Sequence, residues 1–281
     1  MLRPCDSLTR DAIQIAGLWD FCFDPENKGI EEKWYENGLK DPVRMAVGTS
    51  FNDIFTTKQA RDYGGAFWYR KQVKVPYIAS GNRLLLYFES VTHAAQVWVN
   101  DILVCRHSGG YLPFEADVTD AVEGDSFAWI TVRADNILSF ETIPPGIIVQ
   151  ELSGPKQRYW HDFFNYAGIH RPVWFHMVPR QRIEDVTVVT TFDGGDGIVS
   201  YEAQTTCGGN VSVKLYDHEN RLVAEGSNGT ARIPNVHPWA VGDGYLYRAE
   251  FALEVNGTVQ DVYPLRVGVR TVEVKGGKIL L

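Results

Sequence analysis

Positive charge is the scarcer sign in this chain, and it never gathers. Lys and Arg number 27 against 35 Asp and Glu, for a formal charge of −8. The electrostatic footprint of a nucleic-acid binder is therefore missing. No basic run exceeds a pair, and no apolar stretch is long enough to cross a bilayer as a helix. Residues 1–25 lack the charged start and continuous apolar middle of a signal peptide, so the chain reads as soluble, and as intracellular or mature secreted. Cysteine is sparse as well: Cys5, Cys22, Cys105 and Cys207 lie far apart with no CxxC spacing. That argues against a zinc site or a disulfide framework and for small, mostly buried thiols. A nucleophile elbow, a P-loop, a dinucleotide fingerprint and an HExxH helix are all absent, and no cofactor or metal is expected.

What is present is a globular composition, 44% apolar and 22% charged, over 281 residues, enough for two domains with separate cores. Period-2 segments dominate: Gln96-Val97-Trp98-Val99-Asn100, Ile130-Thr131-Val132-Arg133-Ala134, Val211-Ser212-Val213-Lys214-Leu215 and Thr271-Val272-Glu273-Val274. Such alternation predicts antiparallel strands that bury one face. The continuous run Leu84-Leu85-Leu86-Tyr87-Phe88 suits a strand covered on both faces. Turn signals at Ser80-Gly81-Asn82, Asn100-Asp101, Glu123-Gly124-Asp125 and Asp217 to Asn220 separate these pieces. Asn100-Asp101 reads as a two-residue type I′ hairpin turn. Helical signal is confined to Gly29 to Gly38, where Ile30 and Trp34 stand four apart before a terminating glycine.

The expected fold class is all-β, a jelly-roll β-sandwich over residues 1–180 followed by an immunoglobulin-like β-sandwich over 181–274, with a boundary near Pro179-Arg180 and a stub at 275–281. No βαβ rhythm supports a Rossmann core. One segment, Leu138 to Pro172, has little periodicity yet holds Phe140, Tyr159, Trp160, Phe163, Phe164 and Tyr166. So long an irregular stretch in a compact domain is usually functional or disordered, and its aromatics argue for packing.

Tyr159-Trp160-His161-Asp162-Phe163-Phe164-Asn165-Tyr166-Ala167-Gly168-Ile169-His170-Arg171-Pro172-Val173 closely resembles a signature of the family 2 β-glucuronidases. Gly17-Leu18-Trp19 and Ser50-Phe51-Asn52-Asp53 resemble that family's opening strands, and Phe67-Trp68-Tyr69-Arg70 the next one. Val97-Trp98-Val99-Asn100, the block Gly109-Gly110-Tyr111-Leu112-Pro113-Phe114-Glu115-Ala116-Asp117-Val118-Thr119, Gly244-Tyr245-Leu246-Tyr247 and Pro264 to Val274 extend the likeness along the whole chain. In the family, a motif like Val274 to Leu281 leads into a TIM barrel that supplies two glutamates, one acid/base and one nucleophile, about 5–5.5 Å apart for a retaining displacement.

The resemblance implies no catalytic residue here. It implies instead the non-catalytic N-terminal part of an enzyme that hydrolyses β-D-glucuronides to D-glucuronate and an aglycone, with a TIM-barrel domain and a homo-oligomer as partners. It also implies that the aromatic loop reaches the active-site mouth, where Asp162 contacts a sugar hydroxyl. An ionised carboxylate is a fitting acceptor for that bond; a hydrogen bond from Asp162 to the loop backbone is the other reading. Trp160, Phe163 and Asn165 are lesser candidates for substrate contact, against packing within the loop for the two rings and a structural role for Asn165. Glu89, Glu115, Asp117, Glu141 and Glu151 lie at strand edges or turns, where carboxylates are ordinarily solvated or paired with arginine. His161 and His170 lack a third metal ligand. Sequons at Asn210, Asn228 and Asn256 matter only if the chain enters a secretory pathway. Two other classes stay open: an autonomous carbohydrate-binding module, and the same region of a family 2 β-galactosidase or β-mannosidase.

Overall fold

The computed structural model of the chain describes residues 1–152 and 154–280; Ser153 and Leu281, the last residue of the expected stub, lie outside the described residues. The fold is all-β, as expected. By contacts the chain falls into two compact units, one of Ile13–His176 and one of Met1–Ala12 together with the residues from Met177 onward. A single cut near Pro179-Arg180 therefore does not describe the first twelve residues. Leu2 is buried with Val199, Leu215, Phe251 and Tyr263 in the core of the C-terminal unit.

In the first unit, a six-stranded sheet runs from edge to edge as Val43–Ala46, Leu18–Asp24, Ala66–Lys74, Phe127–Asp135, Ala94–Val99 and Ile102–Ser108. A four-stranded sheet runs Asp11–Gln14, Val173–Pro179, Asn82–Phe88 and Phe114–Asp117. Trp19, Phe21, Phe67, Tyr69, Leu84, Leu86, Val97, Ile130 and Val132 form the buried core. Leu84 to Phe88 is buried at every position, which is why that run shows no alternation.

One-sided burial does not hold at the centre of the larger sheet. Trp68 and Trp98 point to its outer face, and they are buried there with Cys22 and Trp34. Tyr35 stacks on Trp98 with ring centroids 4.9 Å apart. The segment between Asp24 and Val43 supplies this cover, so polar–apolar alternation understates burial wherever a loop lies over a sheet. The helical signal in that segment comes to one turn, Trp34–Asn37, ended at Gly38. Ser50 to Asp53, which resembled a strand, caps and begins another one-turn helix, Phe51–Ile54, with the Ser50 hydroxyl accepting from the Asn52 amide. At the Ala94–Val99/Ile102–Ser108 hairpin only Asn100 takes positive φ, at 51°. A type I′ turn would need both central residues there.

The second unit is one hydrogen-bonded sheet of seven strands, in the order Ile183–Asp193, Asp196–Thr205, Thr230–Ile233, Leu222–Ser227, Asn210–Tyr216, Tyr247–Val255 and Thr258–Val267. Only two residue pairs, Gly226↔Ala231 and Ser227↔Thr230, link its halves. There it folds over around Val199, Tyr201, Val213, Leu215, Phe251 and Leu253. The two Asn-Gly sequons sit in exposed turns with positive φ at Asn228 and Asn256. The last alternating stretch buries nothing: Val272 and Val274 are exposed, and Glu273–Lys275 pairs only with Lys278–Leu280.

Candidate functional site

The aromatic segment is more ordered than its sequence shows. Gly146–Glu151 and Gly154–Tyr159 pair antiparallel from Gly146↔Tyr159 to Glu151↔Gly154. The β-branched Ile147, Ile148 and Val149 favour the extended state, while the pattern of their neighbours offers no buried face. After the hairpin the chain makes an irregular loop and returns as the strand Val173–Pro179.

The loop has a buried base and an exposed tip. At the base, Asn165, Ala167, Gly168 and Ile169 are buried. The Ala167 amide donates to Asn52 Oδ1 at 2.8 Å, and the Ser50 hydroxyl donates to the Ala167 carbonyl at 3.0 Å. The Ile169 carbonyl accepts from Gly48 N, and the Gly168 carbonyl from Thr92 N. Gly168 is required twice over: its φ is +124°, and a Cβ there would stand 2.8 Å from Tyr69 Oη.

Histidines hold this base from the side. Ser90 Oγ donates to the Gly110 carbonyl and so accepts from His170 Nε2 at 3.0 Å, while Thr92 Oγ1 donates to His170 Nδ1 at 2.7 Å. His93 Nε2 meets Asn165 Oδ1 at 2.7 Å. Tyr111 packs edge-on against both His93 and His170. Burial pushes both of these histidines below the ordinary imidazole pKa, so each is neutral at pH 7.

At the tip, His161 stacks between Tyr159 at 4.3 Å and Phe163 at 4.0 Å, and Trp160 stacks on Phe140 at 5.4 Å. Trp160 and Phe163 remain 57% and 51% exposed. Asp162 is exposed between them, and its carboxylate makes no hydrogen bond or ion pair with any described residue. Of the four residues singled out from the sequence, three therefore lie at the tip, and Asn165 is enclosed in the base. The other carboxylates are elsewhere. Glu89 accepts from Trp174 Nε1, Glu151 pairs with Arg158, and Asp117 accepts from the Thr119 amide and hydroxyl. Sequence reasoning missed His93, because its partner lies 72 residues away. Gly110 was the one available signal: a Cβ there would stand 2.4 Å from His93 Nδ1.

Comparison with known proteins assigns both units. Residues 13–179 match the glycosyl hydrolases family 2 sugar binding domain, and residues 181–270 a second family 2 domain. The chain belongs to glycoside hydrolase family 2. Among family 2 members, a β-glucuronidase of Paenibacillus borealis is 40% identical over the whole chain, which covers 49% of that protein. The β-glucuronidase of Canis lupus familiaris is 37% identical, with 48% of its length covered. The crystal structure of Ruminococcus gnavus β-glucuronidase superposes on 99% of the chain with a TM-score of 0.94 at 35% identity, again over 48% of that structure. The chain thus spans about half the length of the family 2 relatives it matches.

Proposed function

We propose that the chain is the N-terminal, non-catalytic part of a β-glucuronidase. In the whole enzyme, β-D-glucuronides would be hydrolysed with retention to D-glucuronate and an aglycone. The observation that carries this reading is alignment of the entire chain, at 34–40% identity in bacterial relatives, with one half of proteins named β-glucuronidase. The acid/base and nucleophile glutamates of such a mechanism belong to the other half. The two sandwiches support that half, and the aromatic loop lends Asp162 to the rim of its active site. Support for the Asp162 role comes from its exposure and its lack of a partner among the described residues, since a structural carboxylate would be spending its lone pairs on the loop backbone. The 281 residues alone should hydrolyse an aryl β-D-glucuronide no faster than buffer; robust turnover would move the chemistry into this chain. In the full polypeptide, Asp162→Ala should raise KM.

A second reading, a carbohydrate-binding module, has one observation in its favour. A cleft of about 520 Å³ in the first unit is lined by Phe23, Trp34 and Phe55, with Glu26, Glu32 and Lys40 among its polar groups, within the size range of small-ligand sites. Calorimetric titration with glucuronic acid and neutral oligosaccharides tests it, and the absence of heat at millimolar ligand disposes of it.

A further inference from the structure

Asn165 follows Asp162 by three residues and is 4% exposed. Its amide faces two groups: Nδ2 lies 3.4 Å from the Asn136 carbonyl oxygen, and Oδ1 lies 2.7 Å from His93 Nε2. A carbonyl can only accept, so the amide nitrogen belongs beside Asn136 and the oxygen beside His93. His93 must then carry its proton on Nε2 and donate it to Asn165. Its other nitrogen, Nδ1, is a bare lone pair with no partner among the described residues, buried against Gly110. The backbone on both sides of the ring is fixed as well. His93 N donates to the Asp135 carbonyl at 2.8 Å, and the His93 carbonyl accepts from Gly109 N at 3.0 Å. Asn136 is itself tied down, through Nδ2 to the Tyr63 carbonyl and through Oδ1 to Gly65 N.

We propose that His93, as its neutral Nε2–H tautomer, is a positioning residue that sets the Asp162-bearing tip through Asn165. This rests on the reading of Asp162 as a substrate contact. Protonating Nδ1 would place a buried donor where no described residue offers an acceptor, so the geometry disfavours the cation and defers it to acid pH. Burial lowers the His93 pKa further. The titratable groups that face the ring are His161 and His170 on the loop segment, Asp135 at the end of the neighbouring strand, and Tyr111. Cationic histidines would disfavour a second cation, and Asp135 opposes them.

The test uses the full polypeptide that carries these residues, with an aryl β-D-glucuronide as substrate. His93→Phe keeps an aromatic ring but leaves Asn165 Oδ1 without a donor; KM should rise about tenfold while kcat changes much less. His93→Gln, whose amide nitrogen reaches the Nε2 position, should restore most of the wild-type KM. It should also abolish the part of the acid-side rise in KM that belongs to His93. Hydrogen exchange across residues 159–168 should quicken in His93→Phe and not in His93→Gln. If His93→Phe fails to fold, Asn165→Leu removes the same bond from the other side, with the same expected readouts. Unchanged KM and unchanged exchange in the donor-deleting variant would overturn the proposal, as would a Gln variant as impaired as Phe. Asp162→Ala separates the two layers of the argument. If that variant leaves KM unchanged, the substrate-contact reading fails, and loop exchange alone then decides whether His93 sets the tip.

Discussion

Arg10 and Asp261 show how much one buried pair can hold. Arg10 is 2% exposed and Asp261 fully buried. The guanidinium meets both carboxylate oxygens, at 3.0 and 2.5 Å, and also donates to the Ile183 carbonyl. The Ile183 amide and the Thr9 hydroxyl complete the carboxylate's shell. Burial alone would raise the Asp261 pKa; Arg10, Ile183 and Thr9 outweigh it and hold the carboxyl below its ordinary value. Arg10→Ala would leave a buried carboxylate unpaired and should cost the C-terminal unit about 3–5 kcal/mol, read as a lowered urea midpoint. The pair also fixes an acid limit. A depressed folded pKa means that this stability is present above the unfolded carboxyl value and lost as pH falls through the folded one, below about 4. The loop histidines act earlier. His93 and His170 are lowered from 6.5, so their contribution is complete above that value and declines as pH drops beneath it. The melting temperature of the loop-bearing unit should therefore begin to fall as pH drops below about 6.5, before Asp261 titrates. A flat profile there would refute neutral burial of both rings.

At the scale of elements, the loop base should be less forgiving than the tip. Gly168→Ala forces a side chain into positive φ and toward Tyr69 Oη, and should destabilise its unit by about 2–3 kcal/mol in thermal melts. Trp160→Ala, at an exposed position, should change stability by less than about 1 kcal/mol. The division was only half visible in the sequence. Periodicity marked the strands that bury one face, such as Val211 to Leu215, and the unbroken apolar run marked Asn82–Phe88. The pairing of Gly146–Glu151 with Gly154–Tyr159 escaped because, after Gly146, no residue of the Gly146–Glu151 strand is fully buried. The outward Trp68 and Trp98 escaped because their cover comes from a loop. Leu2, a single apolar residue with no period around it, gave no sign that the first twelve residues belong with the second unit. Asp162 was singled out through a motif, whereas the His93–Asn165 bond joins segments no local pattern connects.

For the molecule as a whole, the largest unresolved tension is between charge and apolar exposure. Phe140, Ile143, Trp160 and Phe163 stand 77%, 86%, 57% and 51% exposed in one segment of the first unit, and Val274 and Ile279 stand 79% and 76% exposed near the C-terminus. Isolated exposed apolar residues are ordinary, but Phe140 and Trp160 stack on each other, and adjoining exposed rings mark a surface suited to being covered. A net charge of −8 opposes association through long-range repulsion, and salt screens that repulsion without weakening apolar contacts. The 281-residue chain should therefore self-associate at tens of micromolar and above, with a light-scattering mass that rises with protein concentration and rises further with added salt. Phe140→Ser combined with Trp160→Ser should bring the mass back toward the monomer if the aromatic segment is the contact. Association that dissolves in salt would instead point to ion pairing, and a constant monomer mass at every concentration would show that these side chains need no cover.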